Sequence, residues 1–403
     1  MTMRPITSTI AFASALEIVL DAATPIARTE SVALLEADGR VLARDVLATG
    51  DVPPFDRAAM DGYAIVAGDT TGASAQTPRI VRCIDRVFSG HVPARGLSAG
   101  ECMEIATGAP MPAGADAVVM VEETARDGDE VRILAPVAAR QNIGRRAADL
   151  AAGEVVVAAN AVLNPSRIGA LAATGVTRVE VFAKPTVALL STGDEIVQPG
   201  ERLAPGQIYD INRFTLETIV GRHGGRAVTM PSARDTIDAL VERLDAARGE
   251  DIVVFSGGSS VGERDLLLDV IARRGELVFR GIAVKPGKPT IFARIGTTPF
   301  FGMPGYPASC LSNAYMLVVP FLRKMARLPP WEPRTVDVPL ARRVVSSPGR
   351  HQFYTVRVVS GRAEPAFKAS GDITSMARAD GYIEIPADTD FVDAGTVVTV
   401  KFF

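Results

Sequence analysis

Residues 251–275 read DIVVFSGGSSVGERDLLLDVIARRG, and this stretch holds a strand, a loop and a helix in turn. Ile252, Val253, Val254 and Phe255 form a continuous apolar run, as expected of a strand covered on both faces. DLLLDVIARR reads as the following helix, with Gly275 just beyond its end. Between them lie small residues and glycines, whose backbone N–H groups can turn outward around an anion. A nucleotide P-loop would continue into Gly-Lys-Ser/Thr. This loop closes instead on Glu263, Arg264 and Asp265.

The same alternation extends from about 184 to 327. TVALL (186–190) reads as a buried strand ending in STGDE, and Asn212 is placed to cap a helix carrying Leu216, Ile219 and Val220. AVTM is a second strand. Asp235 is a candidate N-cap for a helix with Ile237, Leu240, Val241 and Leu244 at helical spacing. ELVFRGIAV, KPGKP, TIFARI and PFFGM follow, and PGYPAS opens a last long helix. Strand, loop and helix in this rhythm predict a doubly wound α/β domain with a parallel sheet, spanning residues 184–328.

The flanks differ. Residues 48–146 are rich in Gly, Pro and short strand-like runs, which predicts a β-rich domain. LPPWEP (328–333) reads as a linker, and residues 329–403 as a small C-terminal β domain resembling a barrel. The helix near residues 8–22 and the one opening at Asn164-Pro165 are expected to pack together. They would build a helical and mixed domain from two pieces, 1–47 and 147–183.

The formal net charge of −3 offers nothing to a nucleic acid or an anionic membrane, so any anion site must be local. Cys83, Cys102 and Cys310 form no CxxC pair, which suits a reducing compartment. His91, His223 and His351 share no metal-ligand spacing. Phe12, Leu16, Val19 and Leu20 share one face of an N-terminal helix that Glu17 and Asp21 interrupt, a pattern unlike a secretory leader. No run spans a bilayer, so a cytoplasmic protein is expected.

Ligands of open parallel sheets bind outside the carboxyl ends of the strands. There the sequence places STGDE (191–195), SARD (232–235), SGGSSVGERD (256–265), VKPGKP (284–289) and GMPGYPAS (302–309). The loops offer N–H groups from Ser256, Gly257, Gly258, Ser259, Ser260 and Gly262, and again from the turn opened by Pro304, at Gly305, Tyr306 and Ser309. Lys285 and Lys288 supply positive charge. Glu195, Asp235 and Asp265 suit Mg²⁺ bridging carboxylates to substrate oxygens. A phosphate- or pyrophosphate-bearing substrate, in phosphoryl or nucleotidyl chemistry, is expected.

Eight ordered stretches resemble the MoeA and gephyrin E-domain family of molybdopterin molybdenumtransferases. They are PPFDRAAMDGYA (53–64), ATGAPMPAGADAVVMVEE (106–123), STGDE, GQIYDIN (206–212), SGGSSVGERD, VKPGKP, GMPGYPAS and SPGR (347–350). The resemblance covers nearly the whole chain and implies a central domain of the molybdopterin-binding type. It implies Mg²⁺-dependent insertion of molybdate into adenylylated molybdopterin with release of AMP, in a homodimer. The partners it implies are other molybdenum-cofactor biosynthesis proteins and apo-molybdoenzymes.

By motif, Asp61, Thr107, Asp149, Glu195, Asp235, Asp265, Lys285 and Lys288 become active-site candidates. Arg350 and the SGDITS segment with Ser370 and Ser375 would come from the C-terminal domain. This chain departs from the family pattern at Tyr306, at Ala147-Ala148 before Asp149, and at Gly281. A tungstate-inserting paralogue, a molybdopterin adenylyltransferase and a non-catalytic scaffold are the alternatives. The adenylyltransferase would need a GGTG-type loop, and the scaffold would be expected to lack the acidic and lysine positions.

Overall fold

A computed structural model describes residues 6, 8–234, 236–257 and 266–403. The chain divides into two compact units, one made of residues 1–30 with 182–403 and the other of residues 31–181. The first helix, α1 (Phe12–Ala22), buries Ala15 and Val19 and half-buries Phe12 and Leu16, an i, i+3, i+4, i+7 face.

The unit of residues 31–181 holds a six-stranded sheet. In chain order its strands are β1 (Gly62–Ile65), β2 (Arg79–Val87), β3 (Glu101–Ile105), β4 (Ala117–Met120), β5 (Thr124–Asp127) and β6 (Glu130–Ile133), arranged β4-β1-β3-β2-β6-β5. Strands β2 and β3 run parallel, which sets Arg86 beside Glu104. Gly62 lies so close to the neighbouring strand that a Cβ there would stand 1.9 Å from the Val119 carbonyl oxygen. Helix α2 (Pro165–Ala173) is capped by Asn164, whose side chain accepts from the Arg167 N–H, and has Pro165 in its first turn. It buries Leu171 against Val32, Leu34, Leu42, Val179 and Val181.

The other unit is built on a second six-stranded sheet. Its elements are β7 (Thr186–Ser191), α3 (Asn212–Arg222), β8 (Arg226–Thr229), α4 (Ile237–Ala246), β9 (Ile252–Ser256), α5 (Leu266–Arg274) and β10 (Gly275–Arg280). Then come β11 (Val284–Lys285), β12 (Ile291–Ile295), β13 (Thr298–Met303), α6 (Pro307–Asn313) and, after a π-helical turn, α7 (Val319–Met325). The sheet order is β8-β7-β9-β13-β12-β10.

Every residue of β7 and β9 is buried, and the pleat explains why. Val187, Leu189, Ile252 and Val254 face a core shared with α1, α3 and α7. Ala188, Leu190, Val253 and Phe255 face the opposite core, shared with α4 and α5. Side chains alternate across a strand, so two apolar layers require a continuous apolar run.

Two expectations are corrected. The sheet is mixed: β8, β7, β9 and β13 are parallel, but β12 and β10 pair antiparallel. A tight reversal at Gly296 (φ 61°) returns the chain directly from β12 into β13. Helix α1 places Ala15 and Val19 in a core with Tyr315 and Met325. Trp331, expected in a linker, packs on Tyr315 with ring centroids 4.9 Å apart.

The C-terminal sheet contains β14 (Thr335–Pro339), β15 (His351–Val359), β16 (Gly381–Ile385) and β17 (Val397–Phe402), in the order β11-β15-β16-β17-β14. Strand β11 joins its edge in parallel, with Val284 beside His351 and Lys285 beside Gln352. This attaches the C-terminal strands to the KPGKP loop. Among the described residues no helix is long and apolar enough to cross a membrane.

Candidate active site

The carboxyl ends of β7, β9 and β13 meet around one carboxamide. The Asn212 Nδ2 group donates to Ser256 Oγ at 2.7 Å and to the Gly305 carbonyl at 2.8 Å. Asn212 is therefore not the cap expected of it. Asp210 does that work, its Oδ1 accepting from the Arg213 N–H at 3.0 Å. The remaining oxygens, Asp210 Oδ2 and Asn212 Oδ1, are buried without a hydrogen-bond partner among the described residues. Burial pushes the neighbouring Cys310 thiol up to about 12, with Ser256 opposing and Asp210 adding to the rise.

Gly257 has φ 119°, and a Cβ there would stand 2.4 Å from the Thr192 carbonyl oxygen. Only glycine lets the loop leave β9 so close to the end of β7. The Thr192 N–H donates to the Ser256 carbonyl at 3.1 Å, closing the two strand ends together. Glu195 is exposed in the next loop, its carboxylate folded back over Gly193. Gly258, Ser259, Ser260, Gly262 and Asp265 lie outside the described residues, as does Asp235. Helix α4 is capped by Thr236, whose hydroxyl accepts from the Ala239 N–H.

The KPGKP loop is fastened to α6. Asn313 Nδ2 donates to the Gly287 carbonyl at 2.9 Å, and a Cβ on Gly287 would collide with that carboxamide. Lys285 Nζ donates to Ser347 Oγ at 2.7 Å, which brings SPGR and half-buried Arg350 beside the loop. Lys288 points elsewhere, its ammonium donating to the Ile6 carbonyl at 3.0 Å.

Pro304 and Ser309 are buried, while Tyr306 is 67% exposed. The Tyr306 ring lies about 4 Å from where a Cβ on Gly371 would stand, and the Ala308 N–H donates to the Ser370 carbonyl at 3.1 Å. Ser375 is fully buried and accepts from the Lys368 N–H at 3.0 Å, so it holds its own turn. Gly281 has φ 88° and little room, since a Cβ would stand 2.6 Å from Ile6. A side chain at Gly281 would meet the N-terminal segment.

In the other unit, Asp61 Oδ1 accepts from the Thr107 N–H at 2.7 Å. Asp61 opens onto a cleft of about 220 Å3, which Arg86, Phe88 and Glu104 also line. Asp149 is exposed, and its N–H donates to the Val52 carbonyl. Among the described residues no three His, Cys, Asp or Glu side chains cluster as a metal cage. The available donors are oxygens, including Glu195 and the unpaired Asp210 and Asn212 atoms. That chemistry fits Mg²⁺, which is held by few carboxylates plus substrate oxygens.

The sequence matches "MoeA N-terminal region (domain I and II)" over residues 10–175 and "Probable molybdopterin binding domain" over 188–324. "MoeA C-terminal region (domain IV)" matches residues 337–403. A molybdopterin molybdenumtransferase from Nostoc sp. is 34% identical over 385 residues, 92% of this chain and 88% of that protein. The chain belongs to the MoeA family of molybdenum cofactor biosynthesis.

Molybdopterin molybdenumtransferase 2 of Mycobacterium tuberculosis is also 34% identical, over 93% of this chain and 95% of its own length. Two crystal structures of MoeA proteins from Pyrococcus horikoshii superpose with TM-scores of 0.84 and 0.82, at 38% and 32% identity. Each covers 98% of this chain. In this MoeA chain the sequence alone does not mark Asp210, Asn212, Arg86 or Glu104 as lining these sites. Asp210 and Asn212 stood in the GQIYDIN stretch, where their spacing to a helix start suggests capping first. Nothing local marked Arg86 or Glu104.

Proposed function

We propose that this chain inserts molybdate into adenylylated molybdopterin and releases AMP, acting in the cytoplasm as a homodimer. The Asn212 carboxamide, tying Ser256 to Gly305, carries this reading. It ties the end of β9 to the loop entering α6 at the carboxyl end of the sheet, where backbone N–H groups can receive phosphate and molybdate oxygens. Lys285 supplies charge on the KPGKP loop, and its bond to Ser347 brings Arg350 beside that loop. Charge-assisted hydrogen bonds of this kind contribute roughly 1.5–3 kcal/mol each.

Glu195 would hold Mg²⁺ together with Asp235 and Asp265, the latter two assigned from their motifs. Bound Mg²⁺ would neutralise charge on the phosphate oxygens. The chain's own residues bind and orient: the loops fix the anion, and Asp61 accepts from an N–H group of the substrate. Thr107 holds Asp61 in place through the 2.7 Å bond from its backbone N–H.

The test is direct. Purified protein is mixed with adenylylated molybdopterin, molybdate and Mg²⁺, and AMP is followed by chromatography. One AMP released per molybdenum inserted is expected, and molybdate-independent AMP release alone would overturn the reading. Light scattering on the same sample checks the dimer.

A further inference from the structure

Cys83 on β2 and Cys102 on β3 stand directly opposite one another across the parallel ladder. Adjacent strands lie about 4.8 Å apart, inside the roughly 4.4–6.8 Å Cα separation that a disulfide spans. The register shifts immediately afterwards, so that Asp85 pairs with Met103. Residues paired in register point to the same face of a sheet. Both cysteines accordingly lie in one core with Tyr63, Ile65, Val81 and Val131, while Ile84 and Met103 lie in the core behind.

The two thiols differ. Cys102 is fully buried, and its thiol is pushed well above the ordinary range, first by burial and then by Cys83. Cys83 acts both through its charge and through a hydrogen bond between the thiols. The Cys83 S–H group itself donates to the Asp85 carbonyl at 3.5 Å, which leaves its sulfur to accept from Cys102. Cys83 is also the more open of the two, at 7% exposed. Arg126, paired with Glu104 at 2.6 Å, is held above its usual range first by Cys83 and next by Tyr63. A guanidinium therefore lies near the Cys83 sulfur, and a nearby cation favours the reactive thiolate.

We propose that Cys83 and Cys102 are a two-electron redox pair, which a small peroxide closes into a disulfide joining β2 to β3. Cys83 has the access and the cation, so it reacts first. Its sulfur attacks one peroxide oxygen, the O–O bond breaks, and water leaves while Cys83 becomes a sulfenic acid. The Cys102 sulfur then displaces the sulfenic oxygen, forming the S–S bond and a second water. Both thiol protons leave in those waters, and the two sulfurs supply the electrons that reduce the peroxide. In a reducing compartment the pair rests as a dithiol. This chemistry needs neither molybdate nor AMP.

Arg86 and Arg95 lie between the two cysteines, so trypsin separates them unless a disulfide holds their peptides together. The full chain is treated with hydrogen peroxide, denatured, alkylated with N-ethylmaleimide and digested without reductant. A linked Cys83–Cys102 peptide holding most of both residues is expected, with Cys310 alkylated. Dithiothreitol before alkylation should restore all three thiols. Cys102→Ser treated in the presence of dimedone should trap the sulfenic acid on Cys83, whereas Cys83→Ser should leave Cys102 a free thiol. Circular dichroism confirms that each variant is folded, and the wild-type peptide map decides even where one is not.

Three alkylated thiols after peroxide would overturn the pair. So would over-oxidation of Cys83 without linkage, or linkage to Cys310 in equal amount. A dimedone adduct on Cys102 in Cys83→Ser would overturn the assignment of Cys83 as the attacking thiol.

Discussion

The Asn212 carboxamide donates to the Gly305 carbonyl at 2.8 Å across 93 residues of chain. With its second bond to Ser256, it joins the end of β9 to the loop entering α6. Both bonds come from one buried nitrogen.

Asn212→Ala leaves the Gly305 carbonyl and Ser256 hydroxyl without that donor. Each unsatisfied group costs about 1–3 kcal/mol. The expected outcome is a lower Tm and a loss of AMP release of at least about tenfold. Asn212→Asp, which keeps the shape but removes the donor, should fail in the same way. Thermal melts and the AMP assay check both.

The two lysines of KPGKP should separate. Lys285→Ala removes the ammonium beside Ser347 and Arg350 and should reduce turnover about 10- to 100-fold, the effect of one charge-assisted hydrogen bond. Lys288→Ala loses its bond to Ile6. It should lower stability of the N-terminal segment, read by proteolysis, with a much smaller change in turnover. Equal activity losses in the two variants would contradict this division.

Glu384 gives a pH prediction. Its carboxyl is held down to about 2 from a usual 4.5, first by His351, with burial opposing and Lys401 adding to the fall. A carboxyl with a depressed folded-state pKa stabilises the fold fully above its unfolded value, and that contribution is lost as pH falls through the folded value. Glu384→Gln should therefore melt below wild type at neutral pH, by roughly 1–3 kcal/mol. The two melting curves should converge between pH 4.5 and about 2.

Tyr306 stands exposed at the start of α6 with its ring against Gly371. Tyr306→Asn should change the ratio of molybdate to tungstate used, because selectivity follows contacts that differ between the two oxyanions. An unchanged ratio would remove Tyr306 as a selector.

The sequence alone determined the strands and loops whose cause is local. Val187 through Leu190 and Ile252 through Phe255 are apolar at every position, which only a strand covered on both faces requires. Gly257 and Gly287 mark backbone that no Cβ would allow. Eight motifs in order were enough to suggest the family. Periodicity is carried by neighbours a few residues apart, so it survives in the string of letters.

Tertiary structure decided which partner each residue meets. The amphipathic face of α1 required burial but could not state against what, and it lies with Tyr315 and Met325. The spacing of Asn212 to a helix start suggested a cap, yet its partners are 44 and 93 residues away. Lys285 and Lys288 are alike in sequence, and one turns to Ser347 while the other turns to Ile6. Arg86 meets Glu104 only because β2 and β3 align in parallel. Such partners are fixed when distant segments close on one another, and no local pattern records which segments those are.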